Sequence, residues 1–501
     1  MNNERFATSL NPLVQYLGKE PKDFTKEDII QFIEDNEIRM LNFRYVAGDG
    51  RLKSLNFVIT DRDYLEQVLS HGERVDGSSL FSFVETGSSD LYVIPRFRSA
   101  FVDPFSELPT LCLLCSYYTK DGKPLEISPE YILRKAAKSF TDVTGMEFQT
   151  MGELEYYVIG NKDDLFLATD QKGYHESSPF AKFEEFRMQS MYLIAKTGGL
   201  VKYGHSEVGN FALEDKVYEQ NEIEFLVTDV EDAANQLIIA KWIIRKLAYE
   251  FGLDVTFAPK ITAGKAGSGM HIHTRIVKDG KNCMVTDSKL NDTAKTAIAG
   301  YMQCAPSLTA FGNTNPTSYF RLVPHQEAPT TVCWGDRNRS VLVRVPLGWS
   351  TDDDMVANEN PKEKPQKIDG SQKQTVEFRC PDGSADVYLL LAGLTVAARS
   401  GFEMSDALAL AQKTYVDVNI FHAEHKDRVA SLNSLPASCW ESAEMLEKQR
   451  EIYERHDVFP PRIIDGLIKE LKKFEDKDIR KELEKNPDKM LELVYKYYYC
   501  G

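Results

Sequence analysis

Hydrophobic positions recur along this chain with two different periods, and each change of period marks an element. Behind Thr25-Lys-Glu-Asp28, apolar residues fall at Ile29, Ile30, Phe32 and Ile33. That is a one-sided helical spacing opened by a capping box. Leu41, Phe43 and Tyr45 then alternate, Gly48-Asp49-Gly50 interrupts, and a second apolar run from Leu52 reaches Ile59, which predicts a hairpin. With strands expected near 91–95 and 110–118, these elements make a small α+β domain spanning 1–124. Ser128-Pro129-Glu130 starts a further helix with proline at its first position. A larger domain, 125–501, then alternates strands with helices such as Val230–Phe251, which stops at Gly252. The polar stretch Thr351–Gln374 reads as an exposed insertion in it. From Ser442 onward the chain is charged and helical in pattern.

Three stretches break the rule that a strand buries alternate apolar side chains on one face and sends polar ones to water. They are Gly-Glu153-Leu-Glu155-Tyr-Tyr, Met-His271-Ile-His273-Thr-Arg275 and Val-Glu377-Phe-Arg379-Cys. Residues i and i+2 of a strand share a face, so each stretch pairs two charged or titratable groups. Leu154, Tyr156, Met270, Ile272 and Phe378 are left to form a core. One such pair is usually the wet side of a sheet. Three pairs rich in carboxylate and imidazole predict a shared concave wall that binds divalent metal. Oxygen and imidazole donors favour Mg²⁺ or Mn²⁺ over a thiolate-seeking ion. Glu207 and Glu222 are further candidate ligands.

Composition narrows the classes. A chain of 501 residues predicts roughly two to four domains. A net charge of −16 argues against a nucleic-acid partner, and an anionic ligand then needs a local cationic cluster or a metal. The start of the chain lacks a basic segment followed by an apolar run, and the longest apolar stretch, Val387–Ala398, is too short to cross a bilayer. A cytoplasmic protein without a membrane partner is expected. Cys112 and Cys115 form a C-x-x-C inside an apolar run with no second pair, which predicts core packing of reduced thiols.

Cations complete the pattern. Arg321, Arg339 and Arg344 stand in Phe-Arg321-Leu-Val-Pro and Arg-Asn-Arg339-Ser-Val-Leu-Val-Arg344-Val-Pro. Guanidinium forks match phosphate and carboxylate, although Arg344 reads equally as a buried structural ion pair. Gly264-Lys-Ala-Gly267-Ser-Gly269 can aim backbone N–H groups at an anion, and no Walker A sequence occurs. Acidic metal sites, an arginine clamp and an anion loop together describe ATP-dependent phosphoryl transfer without a P-loop.

The motifs Asp76-Gly-Ser-Ser, Gly-Glu153-x-Glu155-Tyr, Gly173-Tyr174, His-x-Glu207-Val, Gln-Asn-Glu222, Gly267-Ser-Gly-Met-His271-x-His273, Arg321-Leu-Val-Pro-x-x-Glu327-Ala-Pro, Arg-Asn-Arg339-Ser-x3-Arg344-x-Pro and Glu377-x-Arg379-x-Pro-Asp run along nearly the whole chain. In order and approximate spacing this set resembles the glutamine synthetases, in particular their type I bacterial class. The resemblance implies an α+β fold, with an N-terminal β-grasp domain before a catalytic domain on a curved antiparallel sheet with surrounding helices. It implies a homo-oligomer of two stacked hexameric rings with active sites between subunits. The substrates it implies are glutamate, ammonium and ATP, with two or three Mg²⁺ or Mn²⁺ ions. Glu155, Glu207 and Glu222 would hold one metal, and Glu153, His271 and Glu377 another. His273 and Arg379 would meet the nucleotide phosphates. Arg339 and Arg344 would stabilise the transferring phosphoryl group. Arg321, with Gly267, would hold the substrate carboxylate, and Glu155, Arg339 and Arg379 also border the substrate. Asp76 from the adjacent subunit, with Tyr174 nearby, would attract ammonium and take its proton. Glu327 sits on the expected closing flap.

The chain departs from the family's pattern at several points. Glu207 and Glu222 are fifteen positions apart, more than is usual, so the intervening residues are expected to loop out, with Glu214 or Glu219 as substitutes for Glu222. Ala266 replaces an asparagine that commonly helps hold glutamate, which leaves a larger amine acceptor, and so a γ-glutamyl amide product, as the alternative. Thr375 stands where a basic residue is common. Tyr415-Val-Asp-Val does not reproduce the segment adenylylated in some members, so that regulation is not expected.

Overall fold

A computed structural model describes residues 6–81, 84, 89–323, 328–348, 353–366, 369–425, 430–479 and 487–501. Helix α1 (Lys26–Asp35) starts where the capping box predicts. Thr25 accepts from the Asp28 N–H, and the Asp28 carboxylate accepts from the Thr25 N–H. Strands β1 (Met40–Val46) and β2 (Leu52–Val58) form the hairpin, followed by α2 (Arg62–His71), β3 (Glu73–Asp76), β4 (Asp90–Pro95), β5 (Phe101–Val102) and β6 (Thr110–Tyr118). They pair in the order β2-β1-β6-β4-β3, with β5 beside β6; β1 and β6 run parallel. Phe43, Leu69, Val93 and Leu111 lie in the core between this sheet and its helices. Cys112 and Cys115 are buried free thiols, as core packing requires.

Helix α3 (Pro129–Thr144) leads into the second domain. Its main elements are β7 (Glu147–Asn161), β8 (Val201–Leu213), β9 (Lys216–Phe225), α4 (Val230–Phe251), β10 (Met270–Lys278), α5 (Asp292–Gly312), β11 (Trp334–Asp336), β12 (Val343–Val345), β13 (Val376–Phe378) and α6 (Val387–Glu403). The main path of the sheet is β11-β12-β13-β10-β7-β9-β8, antiparallel except between β11 and β12. The architecture is a β-grasp domain followed by a large domain on a curved sheet with helices behind it. Helix α4 lies so close to β7 that a Cβ on Gly152 would sit 2.8 Å from Leu237. Leu154, Tyr156, Met270, Ile272 and Phe378 are all fully buried on this side, which leaves Glu153, Glu155, His271, His273 and Glu377 for the other.

Some boundaries differ from the sequence expectation for local reasons. The last helical region begins at Cys439, because Ser438 caps it by accepting from the Glu441 N–H. The stretch 353–366 is largely exposed, as an insertion should be. At 369–374 the chain returns to the sheet: Arg275 donates to Gln372 O and Asn282 to Ser371 O. Among the described residues no single helix is long and apolar enough to cross a membrane, and α6, the most apolar, is buried along nearly its whole length.

Candidate active site

Strand register brings the sequence-predicted groups together. His271 stands opposite Glu153 across β10 and β7, and His273 opposite Glu377 across β10 and β13. Glu155 stands opposite Glu222 across β7 and β9, and Arg344 opposite Glu377 across β12 and β13. Residues opposed in an antiparallel pair have Cβ atoms about 5 Å apart, so four pairings across five strands concentrate the donors in one patch. They line a cavity of about 1480 Å³ together with Tyr174, Glu207, Gly267, Arg321, Arg339 and Arg379.

The expected loop between Glu207 and Glu222 is instead an extension of the β8–β9 hairpin. His205 pairs with Glu222 and Ser206 with Asn221, but Asn210 pairs with Glu219, so Glu207, Val208 and Gly209 bulge from the ladder. The bulge turns Glu207 into the cavity. Glu222, and neither Glu214 nor Glu219, faces the other candidate ligands. Glu219 lies on the opposite face and accepts the Lys182 and Phe183 N–H groups, while Glu214 sits at the exposed hairpin turn.

Within the cavity, candidate donor atoms form three groups, each within 4.8 Å: His205, Glu207 and Glu222; Glu153, His273 and Glu377; Glu153, Glu222 and Glu224. His271 joins the second group, with Nδ1 2.9 Å from Glu153 and 3.5 Å from Glu377. Burial and then repulsion from Glu155 push the Glu207 carboxyl up to about 7. Burial, with Glu153 and Glu155 next, pushes Glu222 well above its ordinary value. Burial would raise Glu153 as well, but His273 and His271 outweigh it and hold that carboxyl well below the usual range. Carboxylates that resist ionising beside one another, interleaved with imidazoles, are a donor set completed by divalent cations. The residues present fit such ions.

Opposite the acids lies the cationic rim. Arg344 Nη1 donates to Glu377 Oε2 at 2.9 Å and Arg379 Nε to Glu377 Oε1 at 3.0 Å, while the buried Arg344 Nε has no hydrogen-bond partner. Arg339 is exposed at the rim, and its carbonyl accepts from Arg379. Arg321 is buried beneath His271, donating to the carbonyls of Cys380 and Arg379. The glycine loop aims its N–H at an anion of this chain: Gly269 N donates to Glu155 Oε2 at 2.7 Å. Gly267 permits a close approach, since a Cβ there would sit 2.5 Å from Pro259 O.

Sequence reasoning missed several participants. Glu224 is 5% exposed and accepts from Tyr203 Oη at 2.8 Å and from Lys202. The i,i+2 spacing of Gln220, Glu222 and Glu224 was the available signal. Gln220 Nε2 donates to Glu155 Oε2 and to Gly267 O, tying strand, ligand and loop together. Thr375 hydrogen-bonds His273 Nδ1 at 2.8 Å, so the threonine standing where a basic residue is common orients an imidazole.

One expected residue, Asp76, is elsewhere, and one, Glu327, is not described. Asp76 is exposed in the N-terminal domain and outside this cavity. Hydrogen bonds from Ser78, Ser79 and Ser89 hold its carboxyl well below the usual range, which suits it to holding a cation better than to accepting a proton. Glu327 lies outside the described residues. Tyr174 borders the cavity, 51% exposed, its ring stacked on His175 at 4.2 Å.

A β-grasp domain joined to a curved sheet, with clustered carboxylates facing guanidinium groups in one cavity, defines a site suited to anionic ligands and divalent cations. The descriptions "Glutamine synthetase, beta-Grasp domain" and "Glutamine synthetase, catalytic domain" match residues 37–120 and 126–490. The chain belongs to the glutamine synthetase family. It is 29% identical over 441 residues to the glutamine synthetase of Clostridium saccharobutylicum, covering 86% of this chain and 91% of that one. With that of Frankia alni it is 28% identical over 490 residues, covering 91% and 96%. Among solved structures, Plasmodium falciparum glutamine synthetase superposes with a TM-score of 0.74 at 18% identity, covering 90% of this chain and 96% of that one. A GmaS–ADP complex does so with 0.73 at 19%, covering 92% and 99%. Members of the family are ATP-dependent ligases of ammonia and glutamate that use divalent metals and are generally oligomeric.

Proposed function

We propose that this chain joins ammonia to the γ-carboxylate of L-glutamate through γ-glutamyl phosphate, converting ATP to ADP and phosphate and releasing glutamine. The observation that carries this reading is the register that sets Glu153, Glu155, Glu222, His271, His273 and Glu377 side by side facing Arg339, Arg344 and Arg379. The cavity of about 1480 Å³ exceeds the roughly 300–1,000 Å³ of an ordinary small-ligand pocket, which suits a nucleotide and an amino acid together.

In this reading Glu155, Glu207 and Glu222 hold one Mg²⁺ or Mn²⁺, and Glu153, His271 and Glu377 a second, with His205 and Glu224 alongside. Such ions neutralise charge on phosphate oxygens. His273 and Arg379 position the nucleotide phosphates. Arg344, with its free Nε donor, and Arg339 stabilise the phosphoryl group as the substrate carboxylate attacks it. Arg321 and Gly267 shape the amino-acid end, Arg321 from beneath. The segment bearing Glu327 closes over the acyl phosphate and keeps water out. Asp76 of a neighbouring subunit, kept anionic by its serines, holds ammonium beside Tyr174. The same reading places the chain in the type I class, as two stacked hexameric rings in the cytoplasm, with its domains divided near residue 124.

A second reading, a larger amine in place of ammonia, is favoured by Ala266, which puts a methyl group in the cavity wall, and by the exposure of Tyr174. Phosphate release from ATP with L-glutamate and Mg²⁺ distinguishes them. Release that requires ammonium and yields glutamine supports the first, and Asp76→Ala then abolishes most of it. Release that requires a primary alkylamine moves the chain to the second.

A further inference from the structure

Outside the acidic cavity, the described residues bring together one further group of metal-ligating side chains, His422, Glu424 and His425. They stand on and just before the single helical turn Ala423–His425. Each offers one donor atom, and the three donors lie within 4.8 Å of one another. Both imidazoles approach the same carboxylate oxygen. His425 Nε2 is 3.4 Å from Glu424 Oε1, and His422 Nδ1 is 3.9 Å from it. The two rings are nearly parallel, inclined by 8°, with centroids 6.3 Å apart. Ligands about 2.1 Å from a tetrahedral ion stand roughly 3.4 Å from each other, so small side-chain rotations close this set around one centre.

The backbone beneath the group is held in place. The Ile420 N–H donates to Ser340 Oγ at 3.2 Å, and Asn338 Nδ2 donates to Val418 O at 2.8 Å. Val416 and Ile420 are buried against Cys333 and Val341. The His422 N–H bonds Asn419 O, and the His425 N–H closes the turn on His422 O. Above this base Glu424 and His422 are exposed and His425 is partly so. Two imidazoles and a carboxylate presented to solvent leave a fourth position for water, the three-ligand layout of open zinc sites. We propose that His422, Glu424 and His425 bind one divalent transition ion of the zinc type. Imidazole suits Zn²⁺, Ni²⁺ or Cu²⁺, whereas the oxygen-rich acidic wall suits Mg²⁺ or Mn²⁺. The site adjoins the acidic cavity. Asn419 and Phe421, immediately before His422, line that cavity together with Asn338, Arg339 and Ser340. An ion bound at the turn therefore fixes the segment that borders Arg339 and adds positive charge beside it.

Isothermal titration of the tag-free full chain with Zn²⁺, in saturating Mg²⁺, tests this. A binding event of one ion per chain is expected, and His422→Ala and His425→Ala should each weaken it roughly tenfold or more. Loss of a ligand costs no less than loss of a residue that merely supports one. Glu222→Gln, in the acidic wall, should leave that event in place. So should His456→Ala, a histidine whose Nε2 pairs with Glu403 elsewhere. The turn's side chains are largely in solvent, so these histidine variants should keep the far-ultraviolet spectrum of the unsubstituted chain. Zn²⁺ binding that ignores both His422→Ala and His425→Ala overturns the proposal, and so does binding that disappears with Glu222→Gln. Absence of any Zn²⁺ event in saturating Mg²⁺ overturns it too, and leaves the group as a surface ion pair.

Discussion

Glu207 sets a sign for the pH dependence of the metal-free protein. Its folded value of about 7 lies above the ordinary 4.5, so between those values the folded state binds more protons than the unfolded chain. Stability therefore falls as pH rises through that window. Glu222 is raised by burial and by neighbouring carboxylates, and acts in the same direction. His273 agrees: burial lowers it, Glu153 outweighs burial, and the stability its raised value confers is lost as pH climbs. Glu153, held low, opposes them only in acid, below its unfolded value. In EDTA the unfolding midpoint should thus drop from pH 5 to pH 8, and saturating Mg²⁺ should remove the drop. Glu207→Gln should stabilise the metal-free protein at pH 8 by on the order of 1–3 kcal/mol, while weakening metal binding. A midpoint that rises with pH in EDTA sinks this account. The five residues Glu153, Glu155, His271, His273 and Glu377 were legible because i,i+2 spacing is local. The engagement of Arg321 with backbone carbonyls was not, because those carbonyls come from a turn some sixty residues away.

Among elements, the β8–β9 hairpin shows where local signals stop. Helix α4 runs Val230–Phe251 as its pattern predicts, because both ends are written locally: Asp229 caps it, and Gly252 leaves it at φ 67°. The bulge at Glu207–Gly209 has no such mark. Only the cross-strand register reveals it, and register is a property of two segments together. Gly209 is what lets the bulge close on its partner, since a Cβ there would lie 2.0 Å from Tyr157 Oη and 2.7 Å from Gln220 Oε1. Gly209 N donates to that same Gln220 oxygen, while Gln220 Nε2 holds Glu155. Gly209→Ala must therefore displace Gln220 and loosen Glu155 without touching a ligand. Support of this kind is worth roughly tenfold or more in metal affinity. Isothermal titration with Mn²⁺ should show that weakening with the far-ultraviolet spectrum unchanged. Unaltered affinity would remove Gln220 from the site's support.

At the scale of the molecule, the acidic wall and its arginines come from one domain, while Asp76 stands exposed on the other, outside the cavity of its own chain. A carboxylate kept anionic by three serines at a surface is well placed to complete a neighbour's site. If each site takes Asp76 from the next subunit, contacts are head-to-tail, and a ring is the closed form of such contacts. That geometry makes two inactive proteins complement each other. Asp76→Ala keeps an intact metal wall and spoils its neighbour's site; Glu377→Ala spoils its own wall and still lends Asp76. Unfolded together in equal amounts and reassembled, they should regain about a quarter of wild-type activity, the random chance that an intact wall meets an intact Asp76. Mixed after separate assembly, they should stay inactive until subunits exchange. If reassembled mixtures remain dead while each variant alone forms the native oligomer, Asp76 serves its own chain, and the site is completed by movement of the N-terminal domain instead of by a partner.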